Sequence, residues 1–244
     1  MEKVEEVARV IKEKGYVVGF TGAGISVDSG IPAFRGGQGL WEKYDPMEYA
    51  HIQAFQSNPA KVWTMLREMS RVIFDAEPSP AHKALSDLEK KGYLKSVITQ
   101  NVDGLHQVAG NTDVIEYHGN HRWLTCLDCS RRVALSRDNM SITPFPTCDR
   151  CNTPLKPAVV FFGEGIPMTE MMRANVEAGR CGVMLIIGTS GVVYPAAEIP
   201  YAAKSKGATI VEINVAPTPF TSSITDHYLE GNASEILPGI VALL

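Results

Sequence analysis

YVVGFTGAGIS, residues 16–26, sets a short apolar run directly against a turn that opens Gly-x-Gly. Tyr16 to Phe20 shows no alternation of polar and apolar residues, which reads as a strand covered on both faces. That strand delivers the chain into Gly22-Ala23-Gly24, the kind of turn in which missing side chains let the backbone approach a pyrophosphate. The match is incomplete: Val27 stands where the third glycine of a dinucleotide turn belongs, and the Gly-Lys-Ser/Thr ending of a P-loop is absent. No clear second strand ending in an acidic residue follows about twenty residues later. On these residues alone, a nucleotide turn and an ordinary tight turn both stay open.

Outward from this stretch, residues 2–14 place Val4, Val7, Ala8 and Ile11 on one helical face with Glu and Lys on the other. Residues 27–41, VDSGIPAFRGGQGLW, carry too many glycines to form one regular element, and residues 45–76 regain helical spacing. A helix over 80–91 then leads through Gly92 to the strand YLKSVITQ. Helix followed by buried strand recurs at 169–179 and 183–188, and at 196–206 and 208–213, with Pro200 blurring where the last helix begins. This alternation predicts an α/β fold: a Rossmann-like, mostly parallel sheet with helices on both faces. Ligand groups should gather at the strand ends TGAG, TQNVDG, GTSG and EIN, where Gly188, Thr189, Ser190 and Asn214 can face a nucleotide or simply cap structure. Residues 1–30, 77–120 and 158–244 form the expected sheet domain. Residues 31–76 are a helical insertion, and 121–157, where cysteine, proline and arginine displace the helix and strand rhythm, are a second inserted module.

The 244 residues carry a net charge of -4, with 45% hydrophobic and 20% charged residues, the composition of a folded soluble protein without a basic field for nucleic acid. Arginines 122, 131, 132, 137 and 150 are scattered around one module, so direct nucleic-acid binding is not expected. The N-terminus lacks the apolar core of a secretory signal, and the apolar runs at 158–162 and 183–187 are too short to span a membrane. A cytoplasmic protein, monomeric by preference, is the expectation.

Four of the five cysteines fall into two pairs, Cys126-x-x-Cys129 and Cys148-x-x-Cys151, separated by eighteen residues. Each pair can chelate one edge of a tetrahedron, and the spacing suits a zinc ribbon. Four thiolates leave no open coordination position, so the ion should be structural. Cys181 stands outside this set, ahead of an apolar strand that favours its burial.

The middle of the chain concentrates Gln100, Asn101, Asp103 and His106, then His118-Gly119 and His121. A metal site on His118 and His121 lacks an obvious third ligand. A histidine beside glycine at a cleft edge suits proton transfer, and a structural role competes with it. There is no G-x-S-x-G elbow and no H-E-x-x-H.

GAGISVDSGIPAFRG (22–36), TQNVDGLH (99–106), HG (118–119), the two Cys-x-x-Cys pairs, KPAVVFFGE (156–164), GTS (188–190) and INVAPT (213–218) stand in the order found in sirtuins. The chain resembles these Sir2-like NAD-dependent protein deacylases over nearly its whole length, in a minimal bacterial or archaeal form. The resemblance implies that Gly22, Ala23, Ile25, Asp28, Phe34 and Arg35 belong to the turn and loop covering NAD, and that Gln100, Asn101 and Asp103 surround the ribose and nicotinamide. It assigns Gly188, Thr189, Ser190, Asn214, Asn232 and Ala233 to the adenosine side. His118 matches the catalytic base, and Asn101 joins it by holding the nicotinamide carboxamide in a pose that favours departure. An acylated lysine would enter between Gly163-Glu164-Gly165 and Val192-Val193-Tyr194, paired as a strand, with Phe34, Val159, Phe161 and Phe162 as channel walls or plain core.

By the same resemblance, the acyl oxygen displaces nicotinamide, and His118 then deprotonates the ribose hydroxyls to yield free lysine and 2′-O-acyl-ADP-ribose. Acyl choice turns on Leu66 and Met69, where succinyl-preferring members carry Tyr and Arg. Acetyl and longer apolar groups are therefore expected over succinyl, since an acidic acyl group would find no paired cation. Arg67 should point away from the pocket. Acetylated proteins, a DNA-associated one among them, are the implied partners. Mono-ADP-ribosyl transfer, or silent binding of NAD or O-acyl-ADP-ribose, are the alternatives, and the presence of Asn101, Asp103 and His118 favours catalysis.

Overall fold

The computed structural model describes residues 2–33 and 39–244. Its main sheet has six strands: β1 (Val17–Thr21), β2 (Leu94–Thr99), β3 (Val114–Glu116), β7 (Val183–Ile187), β8 (Thr209–Asn214) and β9 (His227–Glu230). The three remaining strands, β4 (Gly119–Cys126), β5 (Arg132–Ala134) and β6 (Leu155–Val159), make a separate antiparallel sheet in the order β5-β4-β6. The six strands run β3-β2-β1-β7-β8-β9, and every ladder among them is parallel. This is the doubly wound order, in which the chain winds outward in both directions from the boundary between β1 and β7.

Helices cover both faces. Glu2–Lys14, Pro80–Lys90 and Ala233–Ala242 pack on one side, where Val7, Ile11, Leu85, Leu88, Leu237 and Ile240 share a core with β1, β7 and β8. Met168–Arg180 and Glu198–Ser205 cover the other side through Ala174, Ala178, Ile199 and Ala203. Strands between two helical layers have no wet face, which is why all five residues of β1 and of β7 are buried. Pro200 sits in the first turn of its helix, where the missing amide has no intrahelical partner to lose.

Residues 45–76 do not form the uninterrupted helical stretch that their spacing suggests. They divide into Pro46–Tyr49, Ile52–Ser57 and Pro59–Asp75. The first break has a tertiary cause: the Phe162 amide donates to the Ala50 carbonyl at 2.9 Å, and the Ile52 amide donates to the Phe162 carbonyl at 3.0 Å. A backbone committed to those partners cannot also close a helical turn. At the second break, the Asn58 side chain accepts from the Lys61 amide at 3.0 Å, and Pro59 follows at the first helical position.

The two inserted segments share one core. Phe55, Val62, Trp63 and Leu66 from the first pack with Leu124, Cys126, Cys148 and Leu155 from the second. Fully buried Trp63 fixes their relation by donating its indole N–H to the Leu155 carbonyl at 3.0 Å. Arg67 on the same helix donates to the carbonyls of Met140 (3.2 Å), Ile142 (2.9 Å) and Pro144.

Three buried imidazoles make the fold acid-sensitive. Desolvation lowers both His82 and His121 to about 4 and holds His106 well below the usual histidine range. The unfolded chain binds those protons near pH 6.5, so stability is complete above that pH and is lost as pH falls toward 4. The loss should reach the order of a few kcal/mol per imidazole. Urea unfolding at pH 7.5 and pH 4.5 should show a markedly lower midpoint in acid. An unchanged midpoint would contradict neutral burial of these rings.

Candidate active site

The ends of β1 and β7 approach so closely that only glycine fits between them. The Gly22 amide donates to the Ile187 carbonyl at 3.0 Å and the Gly24 amide to the Gly188 carbonyl at 2.8 Å. A Cβ on Gly24 would lie 2.6 Å from the Gly188 Cα, and one on Gly188, where φ is +58°, would lie 2.6 Å from the Ile25 nitrogen. With Val27 in place of the third glycine, the turn continues as a 3-10 helix, Ala23–Ser29, and not as a long α-helix. This contact lies at the carboxyl end of the sheet where the winding direction switches, the place open α/β sheets keep for ligands.

A single cavity of about 680 Å³ opens there, within the range of roughly 300–1,000 Å³ usual for cofactor sites. Gly22, Ala23, Asp28, Gly188, Thr189, Ser190, Asn214, Asn232 and Ala233 line one part of it. Their side chains hold one another: Gln100 donates to the Thr189 hydroxyl at 2.9 Å, and Asn214 donates to the Thr189 carbonyl at 2.8 Å. Asn232 caps the last helix by accepting from the Ser234 amide at 2.8 Å. Ile25 and Asp103 do not line the cavity and support it from behind. Ile25 is buried in the sheet core, while Asp103 accepts from Ser26 Oγ at 2.8 Å and from the Leu105 amide at 2.9 Å. Burial raises the Asp103 carboxyl above its ordinary range. Phe34 and Arg35 lie outside the described residues.

Asn101 sits at the back of this cavity, almost fully buried. Its amide nitrogen donates to the Gly22 carbonyl and to Ser26 Oγ, both at 3.1 Å, which fixes the side chain's orientation. Its carbonyl oxygen is buried with no partner. A buried acceptor held in place and left unsatisfied is a fitting place for a ligand N–H, such as a carboxamide.

His118 lines the same cavity. Its Nδ1 lies 3.1 Å from the Gln100 carbonyl. A carbonyl can only accept, so Nδ1 carries the proton and Nε2 is left as the basic nitrogen. Burial lowers the His118 pKa, partly opposed by the Gln100 carbonyl, so the ring is neutral near pH 7. Gly119 makes this placement possible. At φ +76°, its missing Cβ would lie 2.1 Å from the Ala158 carbonyl oxygen, so β4 can lie against β6 at this point only through glycine.

The cavity continues between the first inserted segment and the residues that follow the second as a mainly apolar channel. Met65, Leu66, Met69 and Ile73 form one wall, with Val159, Phe161, Phe162, Gly163 and Glu164 at the other. Val193 and Tyr194 border the mouth, whereas Gly165 and exposed Val192 do not line it. Buried Lys156 braces the second wall, donating to Glu164 at 2.8 Å and to the Val159 carbonyl at 2.6 Å. Gly191 adopts φ +69°, and a Cβ there would meet the Phe220 ring at 2.7 Å. This chain's phenylalanine therefore fills the space that a larger residue at 191 would need.

The four paired cysteines converge, all ligand atoms lying within 4.8 Å of one another. The Cys129 and Cys148 sulfurs are 3.7 Å apart, too far for a disulfide near 2.05 Å and close to the ~3.8 Å edge of a tetrahedron with Zn–S bonds of about 2.3 Å. Thiols this close cannot all ionise without a cation among them, and the set fits one structural zinc. Cys181 is buried apart from them, its thiol pushed up to about 12 by desolvation.

The Sir2 family model matches residues 22–195. A curated relative, the NAD-dependent protein deacylase of Pyrococcus furiosus, is 45% identical over 240 residues, covering 97% of this chain and 96% of its own length. The chain belongs to the Sir2 family. The solved complex of a Sir2 homolog with NAD is 43% identical with a TM-score of 0.92, covering 98% of this chain and 95% of that one. The Sir2Af2 structure bound to a myristoylated histone peptide is 38% identical with a TM-score of 0.83, covering 99% and 96%.

Several residues of this Sir2 cavity escape reading from the sequence. Gly24 was visible as part of a motif, yet its contact with Gly188 joins segments far apart in the chain. Trp41, Ile166 and Pro195 line the cavity with no motif signal of their own. His121, set aside as an incomplete metal ligand, reaches the channel as well.

Proposed function

We propose that this Sir2 family member is an NAD-dependent protein-lysine deacylase that removes acetyl and longer apolar acyl groups. The observation that carries the reading is one cavity holding both a glycine-only nucleotide turn with an orphaned buried acceptor, Asn101 Oδ1, and a neutral histidine whose Nε2 is free. Residues 1–30, 77–120 and 158–244 act as the NAD-binding unit, with 31–76 and the zinc module 121–157 forming the acyl-lysine side. The named activity of the Pyrococcus relative and the acylated peptide in the Sir2Af2 complex support this reading.

When bound, NAD would supply a ribose carbon able to accept the acyl oxygen with nicotinamide as the leaving group. Asn101 receives the carboxamide N–H, so nicotinamide is held in one orientation and not left to rotate. The Gly22–Gly24 turn, bare of bulky side chains, lets the phosphates lie close to its backbone, and Asn214, Thr189, Ser190, Asn232 and Ala233 contact the adenosine side. His118 Nε2 takes a proton from a ribose hydroxyl, with Nδ1 anchored on Gln100 throughout. Val159, Phe161 and Phe162 wall the lysine stem. The Gly163–Gly165 and Val192–Tyr194 segments, two rims of the mouth, hold the peptide backbone as an added strand, which tolerates varied sequences. Acetylated proteins, including DNA-associated ones, are the partner class.

Succinyl is disfavoured because Leu66 and Met69 line the channel while the Arg67 guanidinium is committed to three carbonyls elsewhere. A buried carboxylate would have no cation to pair with it. Mass spectrometry of acetylated and succinylated versions of one peptide, each with and without NAD, tests both points. Acetyl loss should require NAD and should exceed succinyl loss by about 100-fold or more. Acetyl loss without NAD, an intact acetyl peptide, or transfer of ADP-ribose to the peptide as the main product would overturn the deacylase reading. Comparable succinyl turnover would overturn the acyl preference alone.

A further inference from the structure

Besides Glu164, which is bonded to Lys156 and to the Phe161 amide, the mainly apolar channel contains a second polar side chain that neither NAD contact nor proton transfer requires. His121 lies on β4, three residues beyond His118, and lines the cavity beside the helix that supplies Met65, Leu66, Met69 and Ile73. Strand alternation does not predict this placement, because Asn120 and His121 are both buried in succession. The cause is a register shift against β6 between Gly119 and Leu124, within which the His121 amide donates to the Val102 carbonyl at 2.9 Å.

The ring is held from behind. His121 Nε2 lies 2.7 Å from the hydroxyl of fully buried Ser70, and Phe74 packs edge-on at a centroid distance of 5.8 Å. Among the described residues, this is the only hydrogen bond the imidazole makes. Its Nδ1 is not sealed in protein, unlike His82 Nε2 and His106 Nδ1, which are both enclosed without partners. The structure therefore presents a fixed polar nitrogen to a mainly apolar channel.

We propose that His121 makes the channel a recognition site for acyl groups bearing a distal hydroxyl, of which 3-hydroxyacyl-lysine is the simplest class. The choice follows from the chemistry of the pair. Ser70 can donate to Nε2 or accept from it, so Nδ1 is an acceptor in one tautomer and a donor in the other. A hydroxyl complements either state, while an amide or ketone oxygen complements only one. A plain alkyl chain leaves the nitrogen unsatisfied and forces it to give up water. A carboxylate could accept from only one tautomer, and its charge would be buried among apolar side chains without a cation beside it.

This inference rests on the deacylase reading, and its test separates the two. One peptide is prepared as the acetyl-, butyryl- and 3-hydroxybutyryl-lysine forms, and kcat/KM with NAD is measured for each. The wild-type protein should favour 3-hydroxybutyryl over butyryl by about five- to ten-fold, the worth of one neutral hydrogen bond. His121→Leu should erase or invert that ratio, and His121→Gln, which keeps a polar group, should retain part of it. Equal wild-type rates on the two four-carbon groups, or a His121→Leu variant with the wild-type ratio, would overturn the proposal while acetyl turnover leaves the deacylase reading standing. No turnover of any of the three peptides would overturn both. The wild-type ratio decides the matter even if a variant fails to fold.

Discussion

Replacing His118 with alanine is expected to lower kcat/KM for NAD-dependent deacylation by about 10²–10⁴-fold, the usual contribution of a positioned general base. The imidazole is oriented by one bond, Nδ1–H to the Gln100 carbonyl at 3.1 Å, and burial favours its neutral form. The basic Nε2 therefore exists near neutral pH without an acidic partner to hold it. For the same reason, the acidic limb of the wild-type kcat/KM profile should fall below the free histidine value of about 6.5. Once pH drops through the lowered pKa, Nε2 is protonated and cannot accept the ribose proton. The ring lines the cavity and, among the described residues, its one side-chain hydrogen bond is to the Gln100 carbonyl, so the alanine variant should keep its fold and its zinc. Steady-state kinetics by mass spectrometry, with circular dichroism as the control, check this. An alanine variant within ten-fold of wild type would remove His118 from the chemistry.

The second large effect concerns structure, not catalysis. Substituting Cys148 with alanine, or stripping metal with a chelator, should release the single zinc and unfold the lobe that it closes. Metal binding by such sites contributes apparent free energies of roughly 10–16 kcal/mol, more than a small lobe can replace by packing. The damage would spread, because buried Cys126 and Cys148 belong to the same core as Trp63, Leu66 and Leu155. Leu155 begins β6, which carries the chain to Val159 and the channel wall, so activity should fall with the metal although zinc takes no part in bond breaking. Metal analysis, limited proteolysis across 121–157 and deacylation assays should change together. Cys181→Ala is the control, because that residue lies in a different core and should keep full zinc. A Cys148→Ala protein with one zinc and unchanged protease resistance would contradict the assignment.

Local signals carried much of this in the sequence. The helix over residues 2–14, the buried run before Gly22 and the repeated helix-to-strand rhythm each rest on periodicity within about a dozen residues. The Cys-x-x-Cys pairs are equally local, since each closes its own chelate edge. Prediction failed where distant segments compete for one backbone. The division of 45–76 into three helices depends on Phe162, and the placement of His121 depends on an irregularity in the β4–β6 ladder. Neither β3 nor β9 stood out, because a short edge strand has too few residues to show a pattern.

The glycine turn after residues 16–20 shows where the boundary lies. The sequence by itself determined a covered strand, a turn without side chains, four metal-type cysteines and a motif order shared with the sirtuins. It left the turn ambiguous between nucleotide binding and ordinary tightness. Only the tertiary structure decided that Gly24 meets Gly188, that Asn101 keeps a buried oxygen unpaired, and that His118 donates from Nδ1 so that Nε2 stays basic. The physical reason is that periodicity and spacing report on neighbours along the chain. Desolvation, an unsatisfied acceptor and the choice of tautomer are instead set by atoms that meet only after the sheet and its two insertions have packed.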